Sequence, residues 1–187
     1  MRDETIARNY AEALFELAER HEGVEAYGTS VETVARLIDE NDDFRRFLET
    51  PRIAVAQKKA VIRRVFGKTL PVKFVDFLLI TLDKRRQRLL RAIAREYMGL
   101  MDQHLNRVHV EVTLARQFDE KSMVEMEKRL TVALGKTAIP HVRVKPGILG
   151  GAIFQTGDTI YDGSLRRRLE GMRLRLLKAD LPRMGEV

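Results

Sequence analysis

The chain of 187 residues contains no cysteine. That excludes a disulfide framework, a thiol nucleophile and a thiolate-held metal. No run approaches the roughly 20 consecutive apolar residues that a bilayer-spanning helix requires. The opening Met1-Arg2-Asp3-Glu4 lacks the apolar core of a secretory signal and carries acids that transit peptides avoid. A soluble, cytoplasmic chain is therefore expected, one that could still dock on something membrane-bound.

Nucleotide and metal signatures are wanting too. Gly67-Lys68-Thr69 and Gly135-Lys136-Thr137 match the end of a phosphate-binding loop. That motif needs an earlier glycine, so that backbone N–H groups can cradle the phosphates. Ile62 and Leu130 occupy those positions. Both triplets also follow a predicted helix instead of preceding one, so helix capping explains the glycines. The stretch Gly147 to Gly151 lacks dinucleotide-binding spacing and suits a close backbone approach in a bent strand. His21, His104, His109 and His141 share no ligand spacing, and His109, on the polar side of a predicted strand, is expected at the surface. Asp158 and Asp162 sit where turns favour aspartate for backbone reasons. No catalytic residue, metal ligand or cofactor is expected.

What the chain does have is charge and periodicity. Apolar residues make up 44% and charged residues 33%, the balance of a soluble, helix-rich protein. The net charge of +7 hides an asymmetry: residues 1–43 hold 4 basic and 12 acidic side chains, residues 44–95 hold 15 and 3. An acidic opening beside a basic middle suits two halves of one bundle whose faces offset each other. A uniformly basic nucleic-acid binder would look different, although a pI near 9.9 keeps a nucleic-acid-binding adaptor as the alternative.

Helical periodicity fills the first 105 residues. From Thr5, a possible cap, to Glu19 nothing breaks a helix. Ile6, Tyr10, Ala13 and Leu17 form one stripe; Ala7, Ala11, Leu14 and Ala18 form its neighbour. Together they are wider than a single contact requires. Either this is a central bundle helix, or one stripe packs inward while the other receives a partner helix. Further helices are predicted at about Val24–Glu40, after the cap Asn41 through Leu48, at Val55–Phe66, Val72–Lys84 and Leu89–Leu105. Thr50-Pro51 and Gly67 supply stops. Six helices with short connections make a compact bundle.

At Asn106-Arg107 the period changes to two: Val108, Val110, Val112 and Leu114 alternate with polar residues, the mark of a half-buried strand. A domain boundary is placed there, giving domains 1–105 and 106–187. A helix through Met123, Met126, Leu130 and Leu134 follows, stopped by Gly135. Then come a strand Val142–Val144, short β-prone runs on either side of Gly157-Asp158, and Asp162-Gly163-Ser164. A glycine leading a two-residue loop suits a II′ hairpin, and Ser164 can cap a helix. Beyond it Leu165, Leu169, Met172 and Leu176 fall on one helical face. They could close the small domain's core or meet a partner. Arg166, Arg167 and Arg168 could be solvated or meet an acidic partner; aromatics nearby are too scattered to stack single-stranded nucleic acid. The tail after Leu177, with Pro182 and Gly185, is expected to fray.

The ordered set Gly150-Gly151, Gly157-Asp158, Asp162-Gly163-Ser164 and the Arg-Leu helix resembles the C-terminal signature of the delta subunit of F-type ATP synthases. That family includes the mitochondrial oligomycin-sensitivity-conferring subunit. Arg8-Asn9-Tyr10-Ala11-Glu12-Ala13-Leu14-Phe15 resembles its first helix, so the likeness spans nearly the whole chain. It implies a mostly α fold, a six-helix bundle followed by a small α+β domain with a β-hairpin and a C-terminal amphipathic helix. It also implies a non-catalytic peripheral-stalk subunit, one copy per complex, at the cytoplasmic face of a bacterial plasma membrane, without nucleic acid or lipid insertion. The bundle would bind N-terminal helices of alpha subunits between its first and fifth helices, through Ile6, Tyr10, Leu14, Leu17, Val75, Leu78 and Leu82. The second domain would meet the C-terminal ends of subunit b through Leu165, Leu169, Met172 and Leu176, with Arg166 and Arg168 as charge partners.

Overall fold

The computed structural model describes residues 2–178; the expected fraying beyond them lies outside the described residues. The chain divides between Leu105 and Asn106 into two compact units.

The first unit is helical: α1 (Arg2–Arg20), α2 (Val24–Glu40), α3 (Asp42–Glu49), α4 (Val55–Phe66), α5 (Val72–Asp83) and α6 (Leu90–His104), with one 3-10 turn at Gln87–Leu89. The first helix starts ahead of Thr5, with Asp3 and Glu4 in its first turn, where the helix dipole favours acids. Its Ala7, Ala11 and Ala18 are completely buried, and such small side chains let neighbouring helices come close. Gly28 plays the same part in α2: a Cβ there would stand 2.6 Å from the Met101 sulfur of α6. Between these contacts lie Tyr27, Phe74, Ile93 and Tyr97, all fully enclosed. Burying a side chain of this size contributes roughly 1.5–3 kcal/mol. Tyr97 keeps its hydroxyl satisfied by donating to the Val24 carbonyl at 2.9 Å.

Helix ends in this unit are tied by side chains. Asn41 caps α3, its Oδ1 accepting from the Phe44 N–H at 2.9 Å. Lys58 is 3% exposed, yet its ammonium donates to the carbonyls of Leu48 and Thr50 at 2.6 and 2.8 Å. Those carbonyls close α3, so a buried cation satisfies the negative end of a helix. Burial pushes the Lys58 ammonium below its ordinary pKa. Gly67 closes α4 through its N–H to the Arg63 carbonyl.

The second unit comprises β1 (Arg107–Leu114), α7 (Glu120–Leu134), β2 (Thr137–Val144), β3 (Ala152–Thr156), β4 (Thr159–Asp162) and α8 (Leu165–Lys178). Its sheet has the order β2-β1-β3-β4; β1 and β2 are parallel and the other pairs antiparallel. Val110, Val112 and Leu114 of β1 join Ala138 and Met126 in its core, with Leu130, Leu134 and Phe154 packed alongside. Gly135 ends α7 in the left-handed conformation, φ 65°. In the β3–β4 hairpin Gly157 has φ 53°, whereas Asp158 does not take a positive φ, as a II′ turn requires. The architecture is the mostly α arrangement that the sequence implies. One strand differs: β2 begins at Thr137 and runs through Pro140, well before Val142. It is an edge strand, the place in a sheet where a proline is tolerated.

Candidate functional site

Each unit leaves apolar surface uncovered. In the first, α1 divides its two stripes. Ala7, Ala11, Leu14 and Ala18 face the core, while Ile6, Tyr10 and Leu17 are half-buried and Ala13 is exposed. Tyr10 meets Phe77 of α5 edge to face, centroids 6.1 Å apart, and the Arg86 guanidinium lies 5.2 Å from the centre of the Tyr10 ring. This is the geometry of a cation–π contact. Ile80 is also exposed. Lys73 and Lys84 stand four residues before and seven after Phe77, on the same side of the helix. The seam between α1 and α5 is thus apolar along its floor and basic along one rim.

Four residues expected at this surface are elsewhere. Leu14, Val75, Leu78 and Leu82 are at most 5% exposed. They belong to the bundle core, and a partner would meet Ile6, Tyr10, Leu17 and Phe77 in front of them. The reason is steric: the alanine-rich stripe allows the closest helix approach, so it and Leu14 turn inward. The larger stripe, with Tyr10, stays at the surface. Phe77 and Ile80 escaped the sequence reading because α5 is apolar nearly all round, which blurs its inward face.

In the second unit α8 stands clear of the core. Leu169, Met172 and Leu176 are 55%, 58% and 72% exposed, so closing the small domain's core is not their role. Among the described residues, the hydrogen bonds that hold the helix lie at its start. Ser164 is buried, and its hydroxyl accepts from the Arg167 N–H at 3.2 Å. Asp162 accepts from the Ser164 N–H at 2.9 Å. Hydrogen bonds to Asp162 from the Ser164 side chain first and its backbone N–H second, helped by the charge of Arg167, hold the Asp162 carboxyl below the usual carboxylate range. The Leu165 N–H donates to Gly150 at 3.0 Å. Gly151 has φ +77°, and a Cβ there would lie 2.4 Å from the Gly163 carbonyl oxygen. The glycine pair therefore lets β3 pass under the root of α8. Arg166 is paired with Glu170 at 3.1 Å one turn on, and Arg168 is exposed.

Beside α7 lies a groove of about 670 Å3 that the sequence reading missed, lined by Phe118, Met126, Leu130, Leu134, Phe154 and Tyr161 among others. Phe154 and Tyr161 are register partners in the hairpin. The groove exists because one helix covers a four-stranded sheet and leaves the hairpin side bare. Its only signal in the sequence is the spacing of the α7 apolar residues, which suits a core equally well.

An all-helical unit and a small α+β unit, each presenting an uncovered apolar face, define a two-domain binding protein. The chain belongs to the ATP synthase delta (OSCP) subunit family, whose pattern matches residues 6–176. It is 43% identical over 173 residues to the ATP synthase subunit delta of Gemmatimonas aurantiaca, covering 92% of this chain and 94% of that one. The corresponding subunit of Symbiobacterium thermophilum is 34% identical, covering 96% of each chain. A chain of the Toxoplasma gondii mitochondrial ATP synthase hexamer shares the fold, with a TM-score of 0.64 at 19% identity, covering 91% of this chain and 97% of that one.

Proposed function

We propose that this chain acts as a peripheral-stalk subunit of an F-type ATP synthase by being sticky at two places, one in each unit. Its task is mechanical: it joins the catalytic head to the membrane sector and resists rotor torque, without making or breaking a bond. The observation that carries this reading is that each unit leaves an apolar helix face in water, a condition that favours burial against another helix. The seam of Ile6, Tyr10, Leu17 and Phe77 would take N-terminal helices of alpha subunits. The basic rim of Lys73, Lys84 and Arg86 would favour acidic side chains on the incoming helix. The α8 stripe, with Arg166 and Arg168 beside it, would take the C-terminal ends of subunit b; the groove beside α7 is a separate apolar surface of the same unit. Among the described residues no helix is long and apolar enough to cross a membrane. Attachment at the cytoplasmic face would then come from these partners, with one copy per complex.

Reconstitution tests both joints. The full chain is titrated separately with an alpha-subunit N-terminal peptide and with a soluble subunit b fragment. Y10E should weaken the first interaction about 30-fold or more, in the range of an interface hot spot, and leave the second unchanged; M172E should do the reverse. Equal loss of both in either variant, or saturable binding of neither by the unaltered chain, would overturn the assignment.

A further inference from the structure

Two histidines far apart in the sequence are brought together on the outer face of the sheet. His109 of β1 and His141 of β2 have their nearest ring nitrogens, Nδ1 and Nε2, 2.7 Å apart. Their rings are nearly parallel, 17° between planes, with centroids 4.9 Å apart. Both are exposed. Parallel pairing produces this: Glu111 stands opposite His141 and His109 opposite Ile139, so the two imidazoles sit diagonally on one face. Sequence spacing could not reveal the pair, because 32 residues separate its members and the register of β2 depends on a strand that begins at Thr137.

We propose that His109 and His141 form a two-imidazole site for a borderline divalent cation, with zinc the first candidate and nickel and copper the alternatives. Neutral imidazole suits these ions, whereas magnesium and calcium prefer oxygen. Zinc binds imidazole nitrogen at about 2.0–2.1 Å, which at a tetrahedral angle sets the two nitrogens about 3.3 Å apart. The nitrogens must part by about 0.6 Å, and the rings must turn so that both lone pairs point at the metal. Both facing nitrogens must then present lone pairs. The proton shared between two neutral rings moves to the far nitrogen of its own ring, so binding releases no net proton. No group of three or more His, Cys, Asp or Glu side chains among the described residues is placed to hold a metal, so water completes the shell. Arg143 and Arg107 share this side of the sheet by strand alternation and oppose a cation. Glu111, which pairs with Arg143 at 3.5 Å, offsets part of that charge. The site is accordingly exchangeable, filling as free metal rises. Its effect is to clip the edge strand β2 to its neighbour.

The full-length chain, stripped of metal by dialysis, is titrated with zinc chloride in a buffer that does not chelate, and calorimetry and thermal unfolding are followed together. One equivalent should bind saturably, with a rise in Tm that follows occupancy. Magnesium should do neither. H109Q and H141Q lie on the surface and should fold as the unaltered chain does. Each should weaken zinc binding at least tenfold, whereas H21Q and H104Q should not. Absence of saturable binding overturns the proposal. So does binding that survives H109Q and H141Q, and so does loss that appears equally in H21Q or H104Q.

Discussion

Arg85 holds a conformation that suits glycine better. It follows the C-cap Lys84 with φ 56°. Its N–H donates to Leu82, and the next N–H, of Arg86, donates to Thr81, the paired bonds of a Schellman closure. A left-handed residue with a Cβ is strained by roughly 1–2 kcal/mol, part of which glycine would give back through a freer unfolded chain. R85G should therefore stabilise the bundle by about 0.5–1 kcal/mol, read as a higher urea midpoint with unchanged slope. At Gly151 the balance reverses. Any Cβ there strikes the Gly163 carbonyl as well as straining the backbone, and G151A should destabilise the second unit by about 2 kcal/mol or more, visible as a lowered Tm. The buried tyrosines give a pH signature. Burial first, then Glu22 for Tyr27 and Glu19 for Tyr97, pushes both phenols well above their ordinary value. The unfolded chain thus loses these protons first. Their contribution is complete below about pH 10 and declines as pH rises beyond it. Urea midpoints between pH 8 and 11 should fall along that limb, and Y97F should flatten the fall.

At the scale of elements, the second unit shows what periodicity can and cannot carry. Strand β1 was legible because Val108, Val110, Val112 and Leu114 alternate with polar side chains and one face is buried. The hairpin and the Ser164 cap were legible because their turn chemistry is local. The first half of β2 was not: Thr137-Ala138-Ile139-Pro140 ends in a residue that argues against a strand, and only its place at the sheet edge makes it admissible. Helix α1 shows the limit on surfaces. Two apolar stripes were visible, but their order was set by α6 and α5, which no local pattern contains. So Leu14 was expected at the partner face and lies in the core. Helix α8 shows the opposite case, since an amphipathic stripe says that burial is wanted without saying by whom. Its residues make so few contacts within the unit that the pair L169Q and M172Q should shift stability by no more than about 0.5 kcal/mol, the range of surface substitutions, while weakening association with a subunit b fragment.

For the molecule as a whole, the consequence lies in the time before assembly. A chain released from the ribosome without its partners carries in α8 a run of large apolar side chains in water, and the tethers seen among the described residues are at its Ser164 end. A segment with so little tertiary support opens at small free energy, and opened backbone is what a protease cuts. Among the described segments, limited digestion of the free chain should therefore nick first between Leu165 and Lys178, and an equimolar subunit b fragment should slow that nick. Copies made in surplus would be trimmed and the engaged copy spared, so the helix proposed to grip the stalk would also set how many subunits survive.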